Sequence, residues 1–275
     1  MRYTLDDLLT LMAVLRDPDQ GCPWDIRQDW DSIVPHTLEE TYEVADAIER
    51  RAFDELPGEL GDLLFQVVYY ARFGEEEGRF DFNDVVHTLT AKMLRRHPHV
   101  FPDGTLASRR PPGVDPDALE QRHIKHNWES LKARERDQRT RSSASVLDDI
   151  PLTLPALSRA AKLGKRAAGA GLDAPDTRAA LERIRGELDD LEQTLDAGSE
   201  PGTEQRVGNL LFAVTGLARR LNADPEQCLR GASGRFESRF RRLEHALAEQ
   251  GLRPSQVSLD ELQHHWHIAG MEDTT

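Results

Sequence analysis

The stretch TLEETYEVADAIE, residues 37–49, decides the fold class, because its apolar residues recur at helical spacing. The same stretch carries three closely spaced acids. The stretch GELGDLLFQVVYYA, residues 58–71, repeats this combination. Five carboxylates lie in the two stretches: Glu39, Glu40, Glu43, Glu59 and Asp62. Residues three and four apart share a helix face, and crowded carboxylates repel one another in a partly buried site. The sequence therefore predicts an antiparallel helix pair whose carboxylates bind a divalent cation such as Mg²⁺.

Helical spacing continues along the whole chain, and no segment is typical of a strand. Thr4 is the expected N-cap of the first helix, and His97-Pro98 should end the fourth. The expected helices cover roughly residues 4–17, 35–50, 54–78, 82–97, 153–168, 176–196, 202–222, 224–249 and 258–267. A proline-rich loop at 102–116, a polar connecting helix at 117–139 and a flexible joint at 140–145 separate two helical halves.

The two halves resemble each other when the sequence is shifted by 147 residues. Both contain Gly-x-Leu-Leu-Phe, at 61–65 and 208–212, and the match extends without a gap to the preceding helix. We therefore expect an all-α chain with two tandem, four-helix-bundle-like repeats at 1–101 and 153–275, joined by residues 102–152. One half supplies few residues to close a core alone, so a homodimer is expected.

Composition limits the partners of the chain. The net charge of −14 argues against stable binding to nucleic acid or to anionic membranes, which requires clustered Lys and Arg. Two cysteines imply no disulfide framework, and the acidic N-terminal stretch is not a secretory signal. No segment has the roughly 18 uninterrupted apolar residues of a membrane span. The default expectation is a cytoplasmic protein.

Several stretches together resemble the MazG family of all-α nucleoside triphosphate pyrophosphohydrolases. The similar stretches are RDPDQGCPWD, LEETYEVADAI, GELGDLLFQVV, EEGRFDFNDV, RRHPHVF and LDDIPLTLPALSRAAKLGKRA. The resemblance implies hydrolysis of nucleoside triphosphates to the monophosphate and pyrophosphate, with broad specificity and a house-cleaning role. It also implies that the five carboxylates bind Mg²⁺, for which Mn²⁺ could substitute, and that Glu39 and Glu40 are the catalytic candidates. Which carboxylate activates the water stays open.

Substrate-binding candidates lie on both sides of the carboxylate stretches. Lys92 and Arg96 form an i/i+4 pair beside Arg95 and could bind phosphate groups, although a basic helix end alone would also explain them. Trp24 could stack on a base and Asp25 could shape the pocket, although a loop tryptophan also packs commonly on its own domain.

The second half retains an incomplete copy of the site. The 147-residue shift aligns Glu39 with Gly186, Glu40 with Glu187, Glu43 with Asp190, Glu59 with Arg206 and Asp62 with Asn209. Arg235 and Arg239 have the spacing of Lys92 and Arg96. An arginine in place of a ligand repels a cation, so we expect this degenerate site to bind Mg²⁺ poorly. Two-repeat members of the family can instead rely on their C-terminal repeat for activity. Because the acid set is intact only in the first half, we expect the active site there and a role of the second half in dimerisation or nucleotide sensing.

Three other interpretations compete with the metal site. Thr37 and Glu40 fit a capping box, which would make Glu40 part of a helix N-terminus. The chain could also be a non-catalytic scaffold that binds a nucleotide or a protein. Finally, Glu120-x-x-His123 and Glu261-x-x-His264 have the spacing of a di-iron carboxylate protein.

Overall fold

The computed structural model of the chain describes residues 2–110, 128, 131, 145–197 and 200–271. Within these residues the chain is helical and has no strand, which confirms the all-α prediction. The α-helices are α1 Leu5–Leu15, α2 Trp30–Glu49, α3 Leu56–Glu76, α4 Phe82–Arg96, α5 Ala156–Gly169, α6 Thr177–Asp196, α7 Glu200–Arg220, α8 Pro225–Ala248 and α9 Leu259–Met271. The predicted connecting helix and flexible joint fall almost entirely outside the described residues. None of the described helices is long and apolar enough to cross a membrane.

The chain divides into two compact units, Met1–Arg139 and Thr140–Thr275. In the first unit α3 is the central helix and packs against α1, α2 and α4. In the second unit α7 packs against α5, α6 and α8, and α9 packs against α8. The predicted domain boundaries at 101 and 152 stay predictions.

Helix ends follow local capping chemistry. Thr4 caps α1 as predicted, because its hydroxyl accepts a hydrogen bond from the backbone of Asp7 while the Asp7 carboxylate accepts from the backbone of Thr4. Helix α4 ends at Arg96 with His97 as C-cap, also as predicted. Helix α3 ends at Glu76, and Gly78 follows with a φ of 65°, a left-handed conformation that glycine adopts without strain.

Helix α2 begins five residues earlier than the sequence predicts. Asp29 accepts a hydrogen bond from the backbone of Ser32 at 2.9 Å, and the Ser32 hydroxyl accepts one from the backbone of Asp29. Pro35 therefore lies inside the helix. The capping interpretation of Thr37 and Glu40 is wrong, because Thr37 lies about two turns inside the helix and its hydroxyl donates to the carbonyl of Ile33 at 3.0 Å.

The core of the first unit lies where α1, α2 and α3 meet. Its buried side chains are Met12, Ile33, Val68, Tyr69 and Phe73. Full burial of an aliphatic or aromatic side chain stabilises the folded state by about 1.5–3 kcal/mol, so this cluster fixes α3 against the other two helices. The same packing sets the register of α2 against α3, and this register determines which acids meet.

The second unit contains a helix pair of the same length. Helix α6 begins 147 residues after the start of α2 and ends 147 residues after its end. The turn after α7 also resembles the turn after α3, since Asn222 has a φ of 57°. In both turns the backbone N–H of the following residue donates a hydrogen bond to the carbonyl five residues earlier. The pairs are Arg79 to Gly74 at 2.8 Å and Ala223 to Ala218 at 2.9 Å.

Candidate metal and nucleotide site

Three of the predicted carboxylates meet between α2 and α3. Glu40 and Glu43 lie one helical turn apart on α2, and Glu59 lies in the first turn of α3. One oxygen from each of the three carboxylates lies within 4.8 Å of the others. Glu40 and Glu59 are half-buried, whereas Glu43 is exposed. In the part of the chain that the structure describes, this is the one group of three metal-ligating side chains at such distances.

Glu39 and Asp62 lie beside this group rather than in it. Burial and a hydrogen bond with Glu43 raise the pKa of Glu40, and the charges of Asp62, Glu43 and Glu39 raise it further. Both flanking acids are therefore close enough to act on Glu40 electrostatically. Glu39 is exposed, and one of its oxygens lies 3.7 Å from Nδ1 of His36. The sequence interpretation did not include His36, although it lies one turn before the acids on the same helix.

The donor set fits a hard divalent cation. Mg²⁺ binds oxygen ligands at about 2.1 Å in octahedral geometry, so opposite ligands lie about 4.2 Å apart. The three carboxylates come close to this separation without any change of backbone. Mg²⁺ also keeps open positions for water and phosphate oxygens, and the exposure of Glu43 leaves one side of the group accessible.

Trp24 is exposed beside the carboxylate helix. Half of its surface is accessible, and its ring meets the ring of His36 edge-on with centroids 5.9 Å apart. Because His36 also lies beside Glu39, an aromatic surface and the acid group are neighbours in the folded chain. This arrangement is compatible with a base lying on Trp24 while phosphates reach the acids.

Asp25 is buried, and its side chain holds the loop in place instead of lining an open pocket. One of its carboxylate oxygens accepts a hydrogen bond from the Tyr69 hydroxyl at 2.5 Å. Its backbone carbonyl accepts one from Arg16 at 2.6 Å. Arg16 in turn forms a bidentate ion pair with Glu76, with the shortest distance at 2.7 Å, and lies 4.4 Å over the ring of Phe73. This network, which the sequence interpretation missed, fixes the loop that presents Trp24.

The basic candidates lie on α4. Lys92 and Arg96 are half-buried and Arg95 is exposed. The guanidinium of Arg96 lies 5.5 Å from the ring centroid of Trp128. Within the described residues, the three closest carboxylates lie on α2 and α3 and not on α4. The binding of phosphates by the basic residues of α4 therefore stays a prediction.

In the second unit the aligned positions form an ion pair instead of an acid group. Nη1 of Arg206 on α7 donates to a carboxylate oxygen of Asp190 on α6 at 2.6 Å. Glu187 is half-buried, and within the described residues its Oε2 is enclosed without a hydrogen-bond partner. The structure thus keeps the two helices and changes the charge between them.

The two arginines of α8 differ in their surroundings. Arg235 is exposed. Arg239 donates from Nε and Nη2 to the backbone carbonyl of Trp266, at 2.8 Å and 2.5 Å, and lies 4.1 Å from the centroid of the Trp266 ring. Arg239 therefore joins α8 to α9 in this structure.

The di-iron interpretation gains no support from the residues that the structure describes. Glu261 accepts hydrogen bonds from the backbone and the hydroxyl of Ser258, both at 2.9 Å, and Ser258 accepts one from the backbone of Glu261. This reciprocal pair is a capping box at the start of α9, which explains the acid without a metal. Glu120 and His123 lie outside the described residues.

Comparison with known proteins finds one family model that matches part of the first unit and relatives that match nearly the whole chain. The family model of the MazG nucleotide pyrophosphohydrolase domain matches residues 28–101, which include α2, α3 and α4. A nucleoside triphosphate pyrophosphohydrolase of Escherichia coli is 44% identical over 264 residues, covering 95% of each chain. The nucleoside triphosphate pyrophosphohydrolase/pyrophosphatase MazG of Thermotoga maritima is 35% identical over 270 residues, covering 98% of this chain and 97% of the relative. The uncharacterized protein YabN of Bacillus subtilis is 35% identical over 261 residues, which span 94% of this chain and half of that protein. With identities of this size over nearly its whole length, the chain belongs to the MazG nucleotide pyrophosphohydrolase family.

Proposed function

We propose that this chain hydrolyses nucleoside triphosphates to nucleoside monophosphate and pyrophosphate at the carboxylate group of its first unit, with Mg²⁺ as the cation. The convergence of Glu40, Glu43 and Glu59 within 4.8 Å is the observation that carries the proposal. The relatives from E. coli and T. maritima, which cover nearly all of the chain, are named for this reaction.

The side chains of the first unit have separate parts in this proposal. Glu40, Glu43 and Glu59 would hold Mg²⁺, and Asp62 and Glu39 would complete its surroundings. When bound, the cation neutralises phosphate oxygens and stabilises the charge that develops on the leaving pyrophosphate. A carboxylate accepts a proton from the attacking water, and the candidates are Glu40 of the group and Glu39 beside it. Water then adds to the α-phosphorus while the bond to the pyrophosphate oxygen breaks.

Nucleotide binding draws on the surroundings of the carboxylates. The Trp24 indole offers an exposed face for a base, and the Arg16–Asp25–Tyr69 contacts keep its loop in place. Lys92 and Arg96, with Arg95, would bind phosphate oxygens, because a guanidinium can donate two hydrogen bonds to one phosphate. Broad specificity and a house-cleaning role are proposed from the resemblance to the family.

We also propose that the two units are tandem copies and that the second copy serves dimerisation or nucleotide sensing. The equal bounds of α2 and α6 after the 147-residue shift support the duplication. The ion pair between Arg206 and Asp190 argues against a second catalytic centre.

A homodimer is the proposed assembly. Exposed apolar side chains recur at helical spacing along α2 and along α3 of the first unit, and we call them the apolar stripe: Val34, Leu38, Tyr42, Leu60, Leu64 and Val67. Apolar side chains exposed on neighbouring turns of two packed helices are typical of an interaction site. After the 147-residue shift, four of these six positions are also occupied by exposed apolar side chains in the second unit: Leu181, Val207, Leu211 and Val214.

Two matched variants locate the activity. Pyrophosphate release from a panel of nucleoside triphosphates, with and without Mg²⁺, is measured for the wild type, Glu40→Gln and Glu187→Gln. We expect Glu40→Gln to lose about a hundredfold or more in kcat and Glu187→Gln to keep wild-type rates, because only the first removes a charge from the complete carboxylate group. Full activity of Glu40→Gln together with loss in Glu187→Gln would move the active site to the second unit.

The same panel separates the enzyme from the alternative of a non-catalytic scaffold. A scaffold would bind nucleotides without releasing pyrophosphate under any metal condition. Iron content and visible absorption of the purified protein decide the remaining di-iron alternative.

A further inference from the structure

The second unit contains its own cation at the position where the first unit collects acids. Arg206 aligns with Glu59 and Asp190 aligns with Glu43 after the 147-residue shift. In the first unit the carboxylates of Glu43 and Glu59 come within 4.8 Å of each other. In the second unit the side chains at the same two positions are also in contact, now as a hydrogen-bonded ion pair of 2.6 Å. The two aligned positions are therefore in contact in both units, and the contact changes from two acids to an acid and a base.

Available space does not explain the difference between the two units. A cavity of about 440 Å³ adjoins the ion pair and is lined by Gln193, Thr194 and Gln205 in addition to Asp190 and Arg206. Gly186, which aligns with Glu39, has no neighbouring atom within 4 Å of an added Cβ. A hydrated ion and an additional carboxylate would therefore fit beside α6 if the local charge allowed it.

We propose that the Arg206 guanidinium takes the place of the metal ion in the second unit, and that this residue confines divalent-cation binding to the first unit. The guanidinium neutralises Asp190 directly and leaves the α6–α7 pair without the repulsion that crowded acids produce. The inference rests on the proposed function, since it presumes that the first unit binds the metal. It adds that the second unit folds and persists without one.

The test restores the acids of the second unit with and without Arg206. In the full chain, Glu40→Gln and Glu43→Gln first remove binding by the first unit. Two further proteins are made in this background, one with Gly186→Glu and Asn209→Asp, and one that also carries Arg206→Glu. Binding of Mn²⁺ alone is measured by electron paramagnetic resonance of the free ion. We expect the protein with Arg206→Glu to bind Mn²⁺ at least about tenfold more tightly, because a site's affinity follows its number of charged ligands and any fixed cation opposes it.

A control keeps the net charge equal. Arg178 lies on the same helix as Asp190, in an exposed pair with Glu182, and Arg178→Glu replaces Arg206→Glu in the matched protein. Equal Mn²⁺ affinity of the two matched proteins would overturn the proposal, because the effect would then follow overall charge. Strong Mn²⁺ binding with Arg206 still present, or none after its replacement, would overturn it as well.

Failure of the proposed function gives a different result. If Glu40→Gln and Glu43→Gln leave both Mn²⁺ binding and pyrophosphate release unchanged, the first unit is not the metal site, whatever Arg206 does. Should the protein with five substitutions not fold, Arg206→Gln in the background with Glu40→Gln and Glu43→Gln provides a second test. Mn²⁺ should then raise the unfolding temperature only when Arg206 is absent, and an equal response of both proteins would contradict the inference.

Discussion

At the scale of single residues, Trp24 shows how an exposed aromatic side chain can be held ready for a ligand. Its ring is half accessible and touches His36 edge-on, while the next residue along the chain is buried and hydrogen-bonded to Tyr69. An aromatic ring in this position offers a face to a base at little cost in conformational freedom.

We expect Trp24→Ala to raise the KM for nucleoside triphosphates by about tenfold with little change in kcat, because stacking contributes on the order of 1 kcal/mol and the reacting groups are untouched. Steady-state kinetics with one purine and one pyrimidine triphosphate measure the effect. Trp24→Phe is the matched control and should retain most of the affinity. A fall in kcat at unchanged KM would show that Trp24 acts on the reaction instead.

Sequence reasoning identified Trp24 and Asp25 together but could not separate their roles. Asp25 is adjacent to Trp24 in sequence, yet its partner Tyr69 lies 44 residues away, on α3. Only the packing of α3 against the loop shows that Asp25 is an internal contact. The five acids were easier to interpret, because each motif lies on one helix and local spacing already indicates a shared face.

At the scale of structural elements, the loop between α1 and α2 depends on α3. The Tyr69 hydroxyl is enclosed and bound to a carboxylate, so the pKa of Tyr69 is raised by burial and by its hydrogen bond with Asp25. Removing this hydroxyl leaves a buried carboxylate oxygen without its donor.

We expect Tyr69→Phe to lower the free energy of unfolding by about 1–3 kcal/mol, the cost of leaving a buried acceptor unsatisfied. Tyr70→Phe is the control on the same helix, since the Tyr70 hydroxyl forms a hydrogen bond with the neutral hydroxyl of Thr37 at 2.9 Å. Urea unfolding of both variants measures the difference. Equal losses would show that the charge of Asp25 does not matter to the loop.

The ion pair between Arg16 and Glu76 gives the same region a dependence on pH. Burial alone would raise the pKa of Glu76, but hydrogen bonds and charges from Arg16 and Arg72 outweigh it and lower the pKa below the ordinary value of 4.5. Because the pKa of Glu76 is lower in the folded than in the unfolded protein, its ionised form stabilises the fold at pH values above the ordinary pKa. This stabilisation is lost as the pH falls through the folded-state pKa.

Glu76→Gln should therefore be less stable than the wild type by about 2 kcal/mol at pH 7, and the difference should shrink as the pH falls below 4.5. Unfolding by urea at a series of pH values follows this change. The control Glu75→Gln alters the exposed partner of Arg72 on the same helix and should change stability little. A difference that does not vary with pH would exclude the proposed charge effect.

Helix existence was predictable from periodicity, whereas one helix start was not. Helical periodicity predicted that α2 begins at Pro35, five residues too late. The Asp29–Ser32 capping box lies upstream and extends the helix through the proline. The sequence interpretation did not consider this earlier start, which the contact of the Trp30 ring with the rings of Tyr70 and Phe73 on α3 supports.

At the scale of the whole molecule, the apolar stripe on α2 and α3 leads to a prediction about assembly. We expect the wild type to be a dimer and Leu64→Glu with Val67→Glu to be a monomer, because two charges cannot be buried in an apolar interface without partners. Light scattering after size exclusion gives the mass. Tyr3→Glu changes a side chain that is 81% exposed and should leave the dimer intact. A monomeric wild type would contradict the prediction directly.

The all-α class and the family could be predicted from sequence because both depend on patterns repeated along the chain. The pairing of Arg206 with Asp190 could not, since the aligned sequence shows only that an acid was replaced by a base. Whether that base turns outward to solvent or inward to the neighbouring helix depends on side-chain geometry. The structure shows the inward contact.

Both helix pairs belong to one polypeptide, and this has a consequence for how such enzymes change over generations. In a ring of identical single-unit chains, every mutation alters all sites at once. Here a substitution at position 206 leaves position 59 as it was. A single gene can therefore encode the equivalent of a mixed assembly, in which one copy drifts or acquires a new task while selection preserves the other.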